Sequence, residues 1–175
     1  DGHEELNEGE IPTENNPIAS YVKYFTVPQG WNEVFVSFQG VDSAMALWLN
    51  GKFVGYSEDS KMEAEFNLTG YLKKGQNLLA LQIFRWCDGT YLEDQDYIRL
   101  SGIGRDCYLY ALPEHHIEDI RISTPLDADF RSARMIADII TSDGDLKGGE
   151  ISCSIYDKDG NSCASERIGI DNCSA

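Results

Sequence analysis

Short runs of β-branched, leucine and aromatic residues, each closed by a turn signal, recur through this 175-residue chain. The clearest lie at 22–27, 32–38, 44–50, 52–58, 77–84, 106–112 and 118–124. Strands have this length and composition. Leu49-Asn50-Gly51-Lys52 is the strongest hairpin signal, because Asn-Gly tolerates positive φ at both central positions of a type I′ turn. Residues Leu72–Gln76 read as a second turn. Only residues 68–74, after a potential cap at Asn67, suggest a helical turn. No heptad and no βαβ alternation appears. The pattern predicts an all-β sandwich, without separating a jelly roll from an immunoglobulin-like topology.

Three segments follow. Residues 1–16 are acidic, end in Asn15-Asn16-Pro17, and read as an extended arm. Residues 17–113 hold the first sandwich. Ala111-Leu112-Pro113-Glu114 reads as a boundary, and residues 114–175 turn to alternating strands separated by Asp/Gly turns. This second stretch resembles an immunoglobulin-like sandwich. It has about 60 residues where such a domain takes ~100, so it is read as truncated, with a C-terminal edge that is unpaired or disordered.

The chain carries 30 Asp and Glu against 14 Lys and Arg, a net charge of −16. That opposes nucleic acid and anionic membranes as partners. No run approaches the roughly 20 apolar residues of a membrane span. The sequence opens on Asp1, so it reads as a piece of a longer protein, and a missing leader carries no weight. The five cysteines (Cys87, Cys107, Cys153, Cys163 and Cys173) include no C-x-x-C pair. Zinc is disfavoured and buried free thiols are expected.

Residues 85–106, RWCDGTYLEDQDYIRLSGIGRD, are the densest chemistry in the chain. Asp88, Glu93, Asp94 and Asp96 lie among Arg85, Arg99, Trp86 and two tyrosines, although Asp is depleted in plain strands. Carboxylates accept bonds from hydroxyls, and aromatic rings cover apolar sugar faces. The surrounding text has an order of its own: ASYVKYFTVP (19–28), GVDSA (40–44), WLNGKFVGYSEDS (48–60), EFNLTGYLKKGQNLLAL (65–81), then RW-DG-YLEDQD and R-SGI-RD. These blocks resemble the N-terminal sugar-binding domain of the large bacterial β-galactosidases, glycoside hydrolase family 2. The likeness covers roughly residues 17–113.

The resemblance implies a jelly-roll, galactose-binding-like β-sandwich followed by a partial immunoglobulin-like β-sandwich. It implies that Asp96, the last acid of the DQD motif, reaches sugar hydroxyls and helps to hold a sodium ion. Asp42 stands where well-known members have a substrate-touching Asn. An Asn amide donates and accepts, whereas an ionised Asp only accepts. The family takes its two catalytic glutamates from a downstream (β/α)₈ barrel, and no eight βα units occur here. No catalytic residue is therefore expected in this chain, and no hydrolysis by it alone. No cofactor is expected in the chain itself; the full-length enzyme would use sodium and magnesium. The implied partners are a β-galactoside, the barrel and a parent that can be homo-oligomeric, in a bacterial cytoplasm or periplasm.

Blander readings stand beside these. Asp94, Asp96, Arg99 and Arg105 can form a structural ion-pair network, and Glu93 and Asp94 can pair with Arg85, Arg99 or Arg105. Asp42 can be a turn residue bonding its own backbone. Asp157-Lys158-Asp159-Gly160-Asn161 has its Gly at the wrong place for a calcium loop and reads as a hairpin. His115 and His116 read as surface residues. The sequons at Asn67 and Asn172 arise readily by chance. Trp48 reads as core and Trp86 as a buttress of the acidic motif. Rival functions are a β-glucuronidase or β-mannosidase of the same family, a stand-alone carbohydrate-binding module, or a domain that supports oligomerisation only.

Overall fold

Side-chain alternation builds the first unit. In β2 (Glu33–Phe38), Val34, Val36 and Phe38 are almost fully buried on one face. In β4 (Ala44–Leu49), Met45, Leu47 and Leu49 do the same. Residues two apart share a strand face, so each strand aims one apolar row at the other sheet. The computed structural model describes residues 7, 9–93, 100–142 and 148–170. It divides into two units, Asp1–Pro113 and Glu114–Ala175.

The first unit is an antiparallel β-sandwich. Its other strands are β1 (Ile18–Thr26), β3 (Val41–Asp42), β5 (Lys52–Ser57), β6 (Ala64–Asn67), β7 (Gln76–Phe84), β8 (Gly102–Ile103) and β9 (Cys107–Leu112). One sheet runs β1-β7-β4-β5, the other β6-β2-β9, and β3 pairs with β8. The core between the sheets holds Val36, Phe38, Leu47, Leu49, Leu68, Leu81 and Ile83. Trp48 corrects the sequence reading: it alternates with Leu47 and Leu49, faces away from that core, and packs edge-on against Phe53 at 5.6 Å. The helical turn expected over 68–74 is a single 3-10 turn, Thr69–Tyr71, entered by an Asn67 Oδ1 that accepts the Thr69 N–H. Gly55 lies under the Phe66 ring, where an added Cβ would sit 2.5 Å from the ring edge.

The Asn50-Gly51 turn has φ of 53° and 81°, as a type I′ hairpin requires. Asn50 also reaches across to the next turn. Its Nδ2 donates to Tyr71 O at 3.0 Å and to Asn77 Oδ1 at 2.8 Å, and its Oδ1 accepts the Leu78 N–H at 3.1 Å. Asn77 is 1% exposed. Its amide donates to Lys73 O and Gly75 O, both at 3.1 Å, and accepts the Lys73 N–H at 2.9 Å. Two side-chain amides thus tie the β4–β5 hairpin to the turn that starts β7.

In the second unit, β10 (Ile117–Ser123) pairs with β11 (Ile136–Thr141), and β12 (Glu150–Tyr156) with β13 (Ser162–Gly169). Ile120 lies opposite Ile139 and Ile151 opposite Ile168, so each hairpin has an apolar face. Ile120, Ile122 and Ile168 remain 51%, 63% and 47% exposed. Among the described residues, β13 pairs with β12 alone. Asp157 accepts the backbone N–H groups of Asp159 and Asn161 and the Asn161 side-chain amide, which makes the 157–161 loop a self-bonded hairpin turn. These bonds to the charged form hold its carboxyl below the usual range, the Asn161 side chain contributing most.

Replacing Asn77 with Leu removes the donors and acceptor that serve Lys73, Gly75 and Asn50, leaving buried polar groups unpaired. The expected loss is about 2–4 kcal/mol of first-unit stability. Urea unfolding followed by tryptophan fluorescence checks it, since Trp31, Trp48 and Trp86 all lie in that unit. An unchanged midpoint would show that the amides contribute nothing net.

Candidate functional site

At one end of β7 the chain leaves the sheet as Arg85-Trp86-Cys87. The Arg85 N–H donates to Pro17 O at 3.1 Å, and Ser43 Oγ donates to Arg85 O at 3.0 Å. Asn16 clamps the next residue: its Nδ2 donates to Trp86 O and its Oδ1 accepts the Trp86 N–H, each at 3.0 Å. The end of the N-terminal segment is therefore fastened to the strand end by side-chain and main-chain bonds. The Arg85 guanidinium lies over the Trp86 ring, 5.2 Å from its centroid.

Asp42 arrives at the same corner. It sits on β3, is 6% exposed, and is paired across the ladder with Gly102. Ser43, next to it, donates its N–H to Phe84 O at 3.2 Å. No described residue donates a hydrogen bond to the Asp42 carboxylate. Gly102 has a φ of 127°, and a Cβ there would meet Tyr21 Oη at 3.3 Å. Pro17, Ile18, Ala19, Arg85, Leu100 and Ser101 line a shallow open depression at this corner.

Beyond it lies an acidic group that the sequence reading did not assemble. Potential ligand atoms of Glu58, Cys87 and Asp88 fall within 4.8 Å of one another. Asp88 starts a 3-10 turn, Asp88–Tyr91, whose entry is held by Cys87 N–H donating to Thr90 Oγ1 at 2.9 Å. Burial pushes the Cys87 thiol up, despite its contact with the Thr90 hydroxyl. Such a thiol stays protonated at neutral pH, so the group offers a cation two carboxylates and a poor sulfur ligand. Tyr56 donates to Glu58 Oε1 at 2.6 Å, and burial together with that bond raises its pKa above the usual value. Glu58 and Asp88 stand 30 residues apart in the chain, and no spacing motif links them.

Asp94, Asp96 and Arg99 lie outside the described residues. Glu93, just before them, accepts the Ser60 N–H at 3.0 Å, while its other carboxylate oxygen and Ser60 Oγ are buried without a partner. Arg105 donates to the carbonyls of Lys61 at 3.1 Å and Gln39 at 3.4 Å rather than to a carboxylate. The expected pairing of Glu93 with Arg85 or Arg105 is not formed. Arg105 and one Glu93 oxygen take backbone groups instead. The thiol expectation also needs correcting. Cys87, Cys107, Cys153 and Cys163 are free, but only Cys87 is buried, while Cys107 and Cys163 sit on solvent-facing strand positions.

The model of the glycosyl hydrolases family 2 sugar binding domain matches residues 4–113. The chain is 47% identical over 135 residues to a β-galactosidase of Priestia megaterium, covering 76% of this chain and 13% of that protein. It is 43% identical over 173 residues to a β-galactosidase of Clostridium acetobutylicum, covering 96% of this chain and 19% of that protein. A solved Bacteroides uniformis β-glucuronidase 2 superposes with a TM-score of 0.73 at 23% identity, covering 87% of this chain and 20% of that one. That likeness shows the fold. With a two-sheet sandwich of this kind and the family model matching all but the first three residues of the first unit, the chain belongs to glycosyl hydrolase family 2 and carries its sugar-binding domain. It spans less than a fifth of the length of these β-galactosidases.

Thiol chemistry checks the corner. Iodoacetamide applied to the folded chain should label Cys107 and Cys163 and leave Cys87 unmodified, as read by peptide mass spectrometry. Because the Cys87 pKa is raised, less thiolate forms at any given pH, so moving from neutral to mildly alkaline solution should not bring Cys87 into reaction. Rapid labelling of Cys87 in the native state would contradict its burial against Thr90.

Proposed function

We propose that the longer protein is a β-galactosidase that hydrolyses terminal β-D-galactosides, and that this chain is its non-catalytic, sugar-positioning part. The observation that carries this reading is the 43% identity to a β-galactosidase along 96% of the chain, through both units. Asp96 would orient the galactose hydroxyls. Asp42, buried with a carboxylate that no described residue bonds, would face the same sugar. Two acceptor-only carboxylates near one ligand repel each other unless a cation lies between them. Sodium would supply that charge, with Asp96 as its ligand. Retaining hydrolysis needs two carboxyl groups about 5–5.5 Å apart; in this reading both belong to a downstream barrel. Holding the reacting geometry from a separate domain is a recognised way to lower a barrier, and small misplacements are costly.

The test is hydrolysis of nitrophenyl β-galactoside, β-glucuronide and β-mannoside by the longer protein, with Asp96→Ala and Asp42→Ala beside it. The galactoside should be preferred, and Asp96→Ala should lower kcat/KM by roughly a hundredfold. The 175-residue chain alone should show no turnover. Preference for another glycoside, an unaffected Asp96→Ala enzyme, or turnover by the isolated chain would each overturn part of the reading.

A further inference from the structure

We propose that the depression beside Arg85 is a contact site for a neutral saccharide, with Arg85 as its hydroxyl-binding residue. The inference rests on the reading that this domain touches sugar, and it adds a site and a residue that this reading does not contain. Acids outnumber bases 30 to 14 in the chain. Arg121 pairs with Asp119 at 2.8 Å and Arg167 with Glu150 at 3.4 Å, while Arg105 takes two carbonyls. The Arg85 guanidinium lies over the Trp86 ring, and among the described residues none of its five N–H donors has an acceptor.

Those donors are held in place rather than loose. The Trp86 face restrains the guanidinium plane. Trp86 is pinned by Asn16, and the Arg85 backbone by Pro17 and Ser43. Preorganised donors lose less entropy on binding than mobile ones. The walls complement them. Ile18 and Leu100 are 51% and 74% exposed and present apolar surface, and Ser101 adds a hydroxyl. A pyranose needs both kinds of contact, donors for its hydroxyl oxygens and apolar surface for its C–H faces. Asp42 pairs across the ladder with Gly102, the residue after Ser101, and is not among the residues that line the depression. The overall charge of −16 works against an anionic ligand.

Titration of methyl β-D-galactopyranoside into the ¹⁵N-labelled 175-residue chain tests this. The Arg85 Nε–H, the Trp86 indole N–H and the Ser101 amide should shift together and saturate in the millimolar range. Arg85→Gln should weaken binding about tenfold, as expected for loss of a charged hydrogen-bond donor. Arg85→Lys, which keeps the charge and volume, should fall between, and Arg121→Gln should bind as wild type. The ¹⁵N spectrum and tryptophan fluorescence establish that each variant is folded. Absence of a saturable shift at these groups, an unchanged affinity in a folded Arg85→Gln chain, or preference for methyl β-glucuronide would overturn the proposal. If binding fails while Asp96→Ala still lowers hydrolysis by the longer protein as expected, only this inference falls. If binding holds while the longer protein does not hydrolyse galactosides, only the earlier reading falls.

Discussion

The register of β7 is the constraint on which the first unit depends. This strand pairs with β1 from Ile18–Phe84 to Thr26–Gln76 and with β4 from Ala44–Phe84 to Leu49–Leu79. A slip of one residue would turn Leu81 and Ile83 out of the core and bring Gln82 in, because side chains alternate strictly between faces. The strand is fixed at both ends by different chemistry. At the start, Asn77 and Asn50 exchange amide bonds across two turns. At the finish, Pro17, Asn16 and Ser43 take the backbone of Arg85 and Trp86. The candidate site is built on that finish, so its geometry follows from the same register that fills the core.

Much of this was legible in the sequence. Asn50-Gly51 announced its hairpin, since few residue pairs accept two positive φ values, and the apolar alternation of residues 32–38 and 44–50 announced a buried face. Trp48 was misread because a large ring in an apolar run suggests burial, whereas alternation with Leu47 and Leu49 puts it on the other face. The helical turn shrank to three residues because Tyr71 and Leu72 pack on the core and the chain re-enters β7 soon after. Cys107 and Cys163 were expected inside on residue type alone; the strand positions they occupy face out.

The site was less legible, for a reason of geometry. Pro17, Arg85 and Ser101 come from three separate segments and line one depression beside the end of β7, where β3 pairs with β8. Sequence spacing carries no trace of that meeting. The motif around residues 85–106 drew attention to its acids and aromatics, yet Glu93 and Arg105 turned to backbone groups instead of to each other. Among the described residues Arg85 rests on the Trp86 ring with no carboxylate partner.

Hydrogen exchange at the site end of β7 tests the link between register and site most directly. The Ser43 and Arg85 amides donate to Phe84 and Pro17, so both should exchange only through unfolding of the first unit. Their protection should then fall in step with stability when the opposite end is weakened by Asn77→Leu. Unchanged protection at Ser43 and Arg85 in that variant would show that the corner holds itself together independently of the strand register, and the central claim would fail.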